Sequence, residues 1–278
     1  MRYPRLIQQW FLLILSVLGG QAVIAPRVAA QAPGSLALTR ETFTVGGRPA
    51  FLMLPSPEKR TSPQPWVFYA PTLPAYPDEA ERWMHERFLD AGVAVAGVDV
   101  GEAYGSPKQS HGPFAALYDE LVDRRGFAPK PCLFGRSRGG LWVTSWALAH
   151  PEKVAGITGI YPVFDLRSYP KLDAAAPAYG LTTEELQNRL DEFNPVARLG
   201  QLAKAKIPVA LISGDQDAVV PLQDNSATLV TAYEKAGVKD RVTLIVLPGQ
   251  GHSFHEGFFK SQELVDFTIA RARAGAAN

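Results

Sequence analysis

Cysteine is nearly absent from this sequence: Cys132 is the only one in 278 residues. No intrachain disulfide can form, so a fold used outside the cytosol must be held by its packed core, which a chain of this size can supply. In its apolar setting Cys132 reads as a small buried residue rather than a reactive thiol. An excess of charge of one sign is also lacking. The 28 Lys and Arg residues against 27 Asp and Glu leave a net charge of +1, which gives no global field to attract nucleic acid or an anionic membrane. There is no internal repeat, low-complexity segment or Gly/Ser-rich linker, and 46% hydrophobic with 20% charged residues is an ordinary globular composition, so one domain is expected.

A hydrophobic run long enough to span a bilayer is also missing. The stretch "WFLLILSVL" is about half of the roughly 20 residues that a spanning helix needs. Arg2 and Arg5 precede it, and "VAA" ending at Ala30 suits cleavage before Gln31. This is the pattern of an export signal over residues 1–30. The expectation is a secreted or periplasmic protein of residues 31–278 without stable membrane insertion.

What is present is an alternation of apolar runs with helical patterns, which suits a mostly parallel sheet covered on both faces. "ETFTV" and "PAFLML", separated by Gly46, Gly47 and Arg48, read as an opening hairpin. "WVFYA", "VAVAGVDV", "PCLFG", "VAGITGIYP", "IPVALISG" and "RVTLIVLPG" complete eight strands. Between them lie the helical segments "DEAERWMHERFLDAG", "PFAALYDELVDRRG", "RGGLWVTSWALAH" and "QDNSATLVTAYEKAG", with "SQELVDFTIARARA" closing the chain. The fold class is therefore α/β, a doubly wound, mostly parallel eight-stranded sheet. Residues at about 165–200 break the alternation after strand six, with a helix start at Thr182 or Thr183, and read as a small lid above the carboxyl ends of the strands.

The segment "CLFGRSRGGLW" runs from a strand through Gly135-Arg136-Ser137-Arg138-Gly139 into a helix, the context in which G-x-S-x-G forms a nucleophile elbow. Small residues let neighbouring backbone approach the turn, and the following helix N-terminus faces developing negative charge. A serine hydroxyl is a poor nucleophile until a histidine takes its proton and a carboxylate orients that histidine. "SGDQDAVVP" follows strand seven and "PGQGHSFHEG" follows strand eight, so Asp215 or Asp217 and His252 or His255 fall on the sheet edge that carries Ser137. His252 lies in the turn directly after its strand. His85, His111 and His150 sit in helix or loop contexts with no catalytic part expected. No metal-ligand spacing such as H-E-x-x-H is present, so neither a metal nor another cofactor is expected.

"FGRSRGG", "GDQDAVVP" and "GQGH" together resemble the α/β-hydrolase superfamily over nearly all of the chain after residue 30. Within it the chain resembles the exported esterase and acyl-hydrolase-like group, with prolyl-oligopeptidase-type hydrolases as neighbours. The resemblance implies Ser137 as nucleophile, Asp217 as acid and His252 as base, with Asp215 left a loop-bonding part and His255 a place at the lid side or surface. It also implies an oxyanion hole. One donor is the backbone N–H of Arg138; the second comes from the loop after strand three, where relatives often carry His-Gly. This chain has "YAPTLPA" there; Pro71 has no N–H, which leaves Thr72 or Leu73.

The two arginines flanking the serine divide. Arg136 is expected beneath the elbow, paired with a carboxylate such as Glu102 or Asp99, because a charge near a buried turn needs a partner. Arg138 is expected at the cleft, able to bind a substrate carboxylate. Among the aromatic residues Tyr76, Tyr104, Tyr161, Tyr169 and Tyr179, the substrate contacts are assigned to Tyr104 and Tyr161, beside Arg138. The expected function is a secreted serine hydrolase cleaving carboxylic esters through an acyl-enzyme, on a small-molecule or polysaccharide ester such as those of plant or algal polymers. A prolyl-oligopeptidase-type peptidase is the alternative, and a non-catalytic binding protein on the same fold a third reading.

Overall fold

Short apolar runs bounded by glycine and proline form the sheet of this protein, seen in a computed structural model that describes residues 38–277; the export-signal expectation for residues 1–30 lies outside the described residues. In chain order the strands are β1 (Glu41–Val45), β2 (Arg48–Met53), β3 (Trp66–Ala70), β4 (Ala94–Val98), β5 (Cys132–Arg136), β6 (Gly156–Ile160), β7 (Val209–Gly214) and β8 (Val242–Leu247). They join one sheet in the order β1-β2-β4-β3-β5-β6-β7-β8. β2 pairs antiparallel with both β1 and β4, and every other pairing is parallel. Gly46 and Gly47, both at positive φ, make the tight β1–β2 turn.

Side chains alternate across the sheet and divide the core into two layers. Trp66 and Phe68 of β3 and Leu133 of β5 enter one layer, with Phe114, Leu141 and Trp146. Val67 and Tyr69 of β3 and Cys132 and Phe134 of β5 enter the other, with Met84, Phe88 and Leu264. The helices supplying these residues are α1 (Arg82–Asp90), α2 (Pro107–Asp119), α3 (Gly139–Ala149) and, at the end of the chain, a helix over Gln262–Ala276. α3 is buried from Gly139 to Ala147, so its sequence is apolar all round rather than striped.

α2 begins earlier than the sequence pattern suggests. Pro107 stands at its first turn, and the Ser106 carbonyl accepts the N–H groups of Gln109 and Ser110. Pro113, which reads as a helix start, therefore lies inside the helix.

Between β6 and the next long helix, the interval read as a lid holds α4 (Leu172–Tyr179), α5 (Thr183–Gln187) and α6 (Leu190–Phe193), followed by α7 (Pro195–Lys204). Thr182 and Glu185 form a reciprocal capping box that starts α5. α4 packs on α2, and the Tyr179 hydroxyl donates to the Tyr104 carbonyl at 2.8 Å, tying the insertion to the β4–α2 connection. Helix α8 (Ser226–Lys235) links β7 to β8, and the short α9 (Glu256–Phe259) precedes the closing helix α10 (Gln262–Ala276).

Candidate active site

Ser137 occupies the turn between β5 and α3 with φ +51, a strained angle for a non-glycine residue. The conformation is fixed on three sides by hydrogen bonds. The Ser137 N–H donates to the Ile160 carbonyl at 2.9 Å, and the Ser137 carbonyl accepts from Gly140 and Val163, each at 2.9 Å. The flanking glycines are required by space. A Cβ on Gly139 would stand 2.7 Å from Pro71 Cδ and closer still to the Ala70 carbonyl oxygen, while one on Gly135 would stand 2.8 Å from Val143 Cγ2.

The structure brings Ser137, His252 and Asp217 together. Ser137 Oγ lies 3.0 Å from His252 Nε2, and His252 Nδ1 lies 2.8 Å from Asp217 Oδ2. The other Asp217 oxygen accepts the N–H groups of Val219 and Val220 at 2.9 and 2.8 Å. Burial pushes this carboxyl up, but the bonds from His252 and the two amides outweigh it and hold its pKa below the ordinary value. Asp215 has a different place. Its Oδ1 accepts the Gly249 N–H at 2.7 Å, bracing the turn that carries His252. His255 caps α9, its Nδ1 accepting the Gly257 N–H at 3.1 Å.

The mouth of the site is a cavity of about 160 Å³ lined by Pro71, Tyr76, Arg136, Ser137, Arg138, Tyr161, His252, Ser253 and Phe254. Tyr161 is buried with its ring centroid 4.2 Å from that of His252, so it backs the imidazole. Phe254 stands at the rim, 67% exposed. Tyr104 is not among the lining residues; its carbonyl instead receives Tyr179, and burial followed by the Glu102 charge raises its hydroxyl pKa to about 12. The backbone N–H groups of Arg138, Thr72 and Leu73 have no backbone acceptor among the described residues. Thr72 is buried, its hydroxyl 3.4 Å from the Tyr69 carbonyl.

Arg136 does not take the partners that the sequence suggests, and one of them falls to Arg138. Arg136 is buried and meets Asp78 Oδ2 at 2.8 Å and Glu81 Oε2 at 3.2 Å, rather than Glu102 or Asp99. Rings of Tyr76, Phe254 and Phe259 lie 4.9 to 5.1 Å from its Cζ. Glu81 is fully buried and also receives the Tyr69 hydroxyl at 2.8 Å. Burial raises its pKa to about 7 against the opposing pull of Arg136. Glu102 pairs instead with Arg138, Nε to Oε2 at 3.5 Å. His85 is wholly buried beneath this cluster, and burial with the Arg136 charge lowers its pKa to about 3, so it is neutral at pH 7. Among the described residues no group of three His, Cys, Asp or Glu is arranged to hold a metal ion.

Asp78, Glu81, Ser253 and Phe254 are site residues that sequence reasoning missed. The D-x-x-E spacing of Asp78 and Glu81 is a capping-box signal, and both of its reciprocal bonds form. It announces a helix start and gives no sign of the arginine that lies 58 residues from Asp78.

A mostly parallel eight-stranded sheet with a serine on the strand-turn-helix elbow defines the α/β-hydrolase fold. Residues 113–269 match the prolyl oligopeptidase family, and the chain belongs to that family. No curated protein matches it in sequence. Among solved structures, the Mycobacterium tuberculosis puromycin-hydrolyzing peptidase superposes with a TM-score of 0.62 at 18% identity, over 85% of this chain and 39% of that one. The chain thus spans about two-fifths of that peptidase's length. Mycobacterium tuberculosis MPT51 (FbpC1) gives 0.63 at 17% identity, over 85% of this chain and 100% of the other. Est1E from Butyrivibrio proteoclasticus gives 0.59 at 16%, over 84% and 99%.

Proposed function

We propose that this serine hydrolase cleaves carboxylic esters through an acyl-enzyme formed at Ser137. The observation that carries the reading is the continuous relay from Ser137 Oγ through His252 to Asp217, at 3.0 and 2.8 Å, opening onto the cavity. In the first half-reaction His252 Nε2 takes the hydroxyl proton as Oγ attacks the ester carbonyl carbon. Asp217 holds the Nδ1–H tautomer and stabilises the imidazolium. The carbonyl oxygen, now negative, is received by the Arg138 N–H and by that of Thr72 or Leu73. Collapse expels the alcohol with the proton from His252. Water, losing its proton to the same nitrogen, then releases the acid and restores Ser137.

Esters borne on polysaccharides are the substrates we favour, because Tyr76, Tyr161 and Phe254 give the cavity rings that can pack on sugar or aryl groups. The test is acid release in a pH-stat from methyl-esterified, acetylated and feruloylated polysaccharides, with Ser137→Ala as control. Release that requires Ser137 supports the reading, and none from any ester counts against it. Membership of the prolyl oligopeptidase family favours a second reading, a serine peptidase, for which Ser137-dependent cleavage of a proline-containing peptide is the deciding result. Export is proposed from the charged start, the short apolar run and the small residues before Gln31. An N-terminus at Gln31 on protein recovered outside the cytosol is the expected finding.

A further inference from the structure

Two guanidinium groups line the catalytic cavity, and they differ in what their charge already meets. Arg136 lies between Asp78 and Glu81 inside the fold. Arg138 has no such partner. Its Nε is buried yet makes no hydrogen bond. The carboxylate facing it, Glu102, stands at 3.5 Å, within ion-pair range but without hydrogen-bond geometry, and is half exposed. A guanidinium is best satisfied by a carboxylate that takes two parallel N–H bonds, and Glu102 does not provide that geometry.

Resting on the serine-hydrolase reading of this site, we infer that Glu102 is an internal carboxylate that competes with a substrate carboxylate for Arg138. The substrate class is an ester whose acyl or alcohol part carries a carboxylate beside an apolar or aromatic group. The surroundings of Arg138 match such a ligand. The Tyr76 ring lies 5.5 Å from Arg138 Cζ, and Tyr161 and Phe254 complete the apolar wall. Glu102 is 44% exposed and does not meet Arg138 in hydrogen-bond geometry, so its hold is weak and a substrate carboxylate with better geometry displaces it. Glu102 then works as a selector. It repels anions that bring no second contact and yields to those that also fill the apolar part of the cavity.

The test reads binding rather than turnover, which separates it from the ester-hydrolase proposal. Affinities of phenylacetate and of uncharged phenylacetamide are measured by calorimetry for the wild type, Glu102→Gln, Arg138→Gln and the double variant. The wild type is expected to prefer phenylacetate. Glu102→Gln is expected to increase that preference about one-and-a-half- to fivefold, the range for a weakly held ion pair with one exposed partner. Arg138→Gln is expected to abolish it, and the double variant to match Arg138→Gln, because the effect of Glu102 passes through Arg138. Arg138→Lys, which keeps the charge and loses the fork, should retain only part of the preference. No preference for phenylacetate in the wild type, no change in Glu102→Gln, or a gain from Glu102→Gln that survives in the double variant overturns the inference. Failure of every ester to be hydrolysed would sink the catalytic proposal and leave these affinities to decide the present one.

Discussion

Replacing Arg136 by methionine keeps an apolar stem of similar length and removes the charge that two carboxylates face. Its guanidinium stands 2.8 Å from Asp78 and 3.2 Å from Glu81, with side-chain exposures of 4, 15 and 0% for the three residues. Breaking a buried pair by removing one member costs about 3–5 kcal/mol, since the remaining charge stays desolvated and unpaired. Glu81 has an escape, because burial already lifts its pKa from 4.5 to about 7. The folded protein therefore keeps a proton on Glu81 in a range where the unfolded chain has released it. The stability this contributes is full below pH 4.5 and is lost as pH rises through about 7, an interval worth at most about 3 kcal/mol. Without Arg136 the folded pKa moves higher and the loss extends into the alkaline range. The cost of Arg136→Met should thus be larger at pH 8.5 than near pH 5 by up to about 2 kcal/mol, the 1.5 pH units between about 7 and 8.5, which lowers Tm by roughly 4–8 °C more there. Urea unfolding followed by tryptophan fluorescence at both pH values reads it, and Glu81→Gln in the variant background should restore most of the loss. An equal cost at both pH values, or less than about 1 kcal/mol at each, would refute the buried-charge argument.

Three further outcomes follow from the site geometry. Asp217→Asn should lower kcat by roughly 10⁴-fold with little change in KM, as loss of the orienting carboxylate does in Ser-His-Asp enzymes; a fall below tenfold in steady-state kinetics would remove Asp217 from the relay. Asp215→Ala frees the Gly249 N–H and should cost about 1 kcal/mol of stability with a far smaller fall in kcat. A loss equal to that of Asp217→Asn would mean that Asp215 does more than brace the turn. Gly139→Ala forces a methyl against the Ala70 carbonyl and Pro71, and thermal melts should show a loss of about 1–3 kcal/mol, whereas an unchanged Tm would contradict the tight packing of the elbow on that loop.

Strands that are buried on both faces are legible as uninterrupted apolar runs, which is why β3 to β7 can be placed from sequence. The relay was legible for a different reason. Loops at the carboxyl ends of parallel strands share one edge of the sheet, so a serine, an acid and a histidine each placed just after a strand need no long-range information to be grouped. The start of α2 was less so, because Pro113 looks like a first-turn proline and Pro107 is one in fact. The contact between the Tyr104 carbonyl and the Tyr179 hydroxyl spans 75 residues, and no local pattern announces it.

The partners of Arg136 depended on strand order, which sequence does not state. β3, not β4, is the neighbour of β5, so the segment after β3, with Asp78 and Glu81, lies beside the elbow, and the loop after β4 lies one strand further away. Yet half of the answer was available in the period of the strand. Cys132, Phe134 and Arg136 are spaced by two and must share a face of β5. Cys132 and Phe134 enter the layer packed by Met84 and Phe88 of α1, and Glu81 immediately precedes that helix. Arg138 stands beyond the turn at Ser137, so the strand period no longer governs it, and it meets Glu102 from the loop after β4. The sharp turn that exposes the serine thus also separates its two arginines, one into the fold and one to the edge of the cavity.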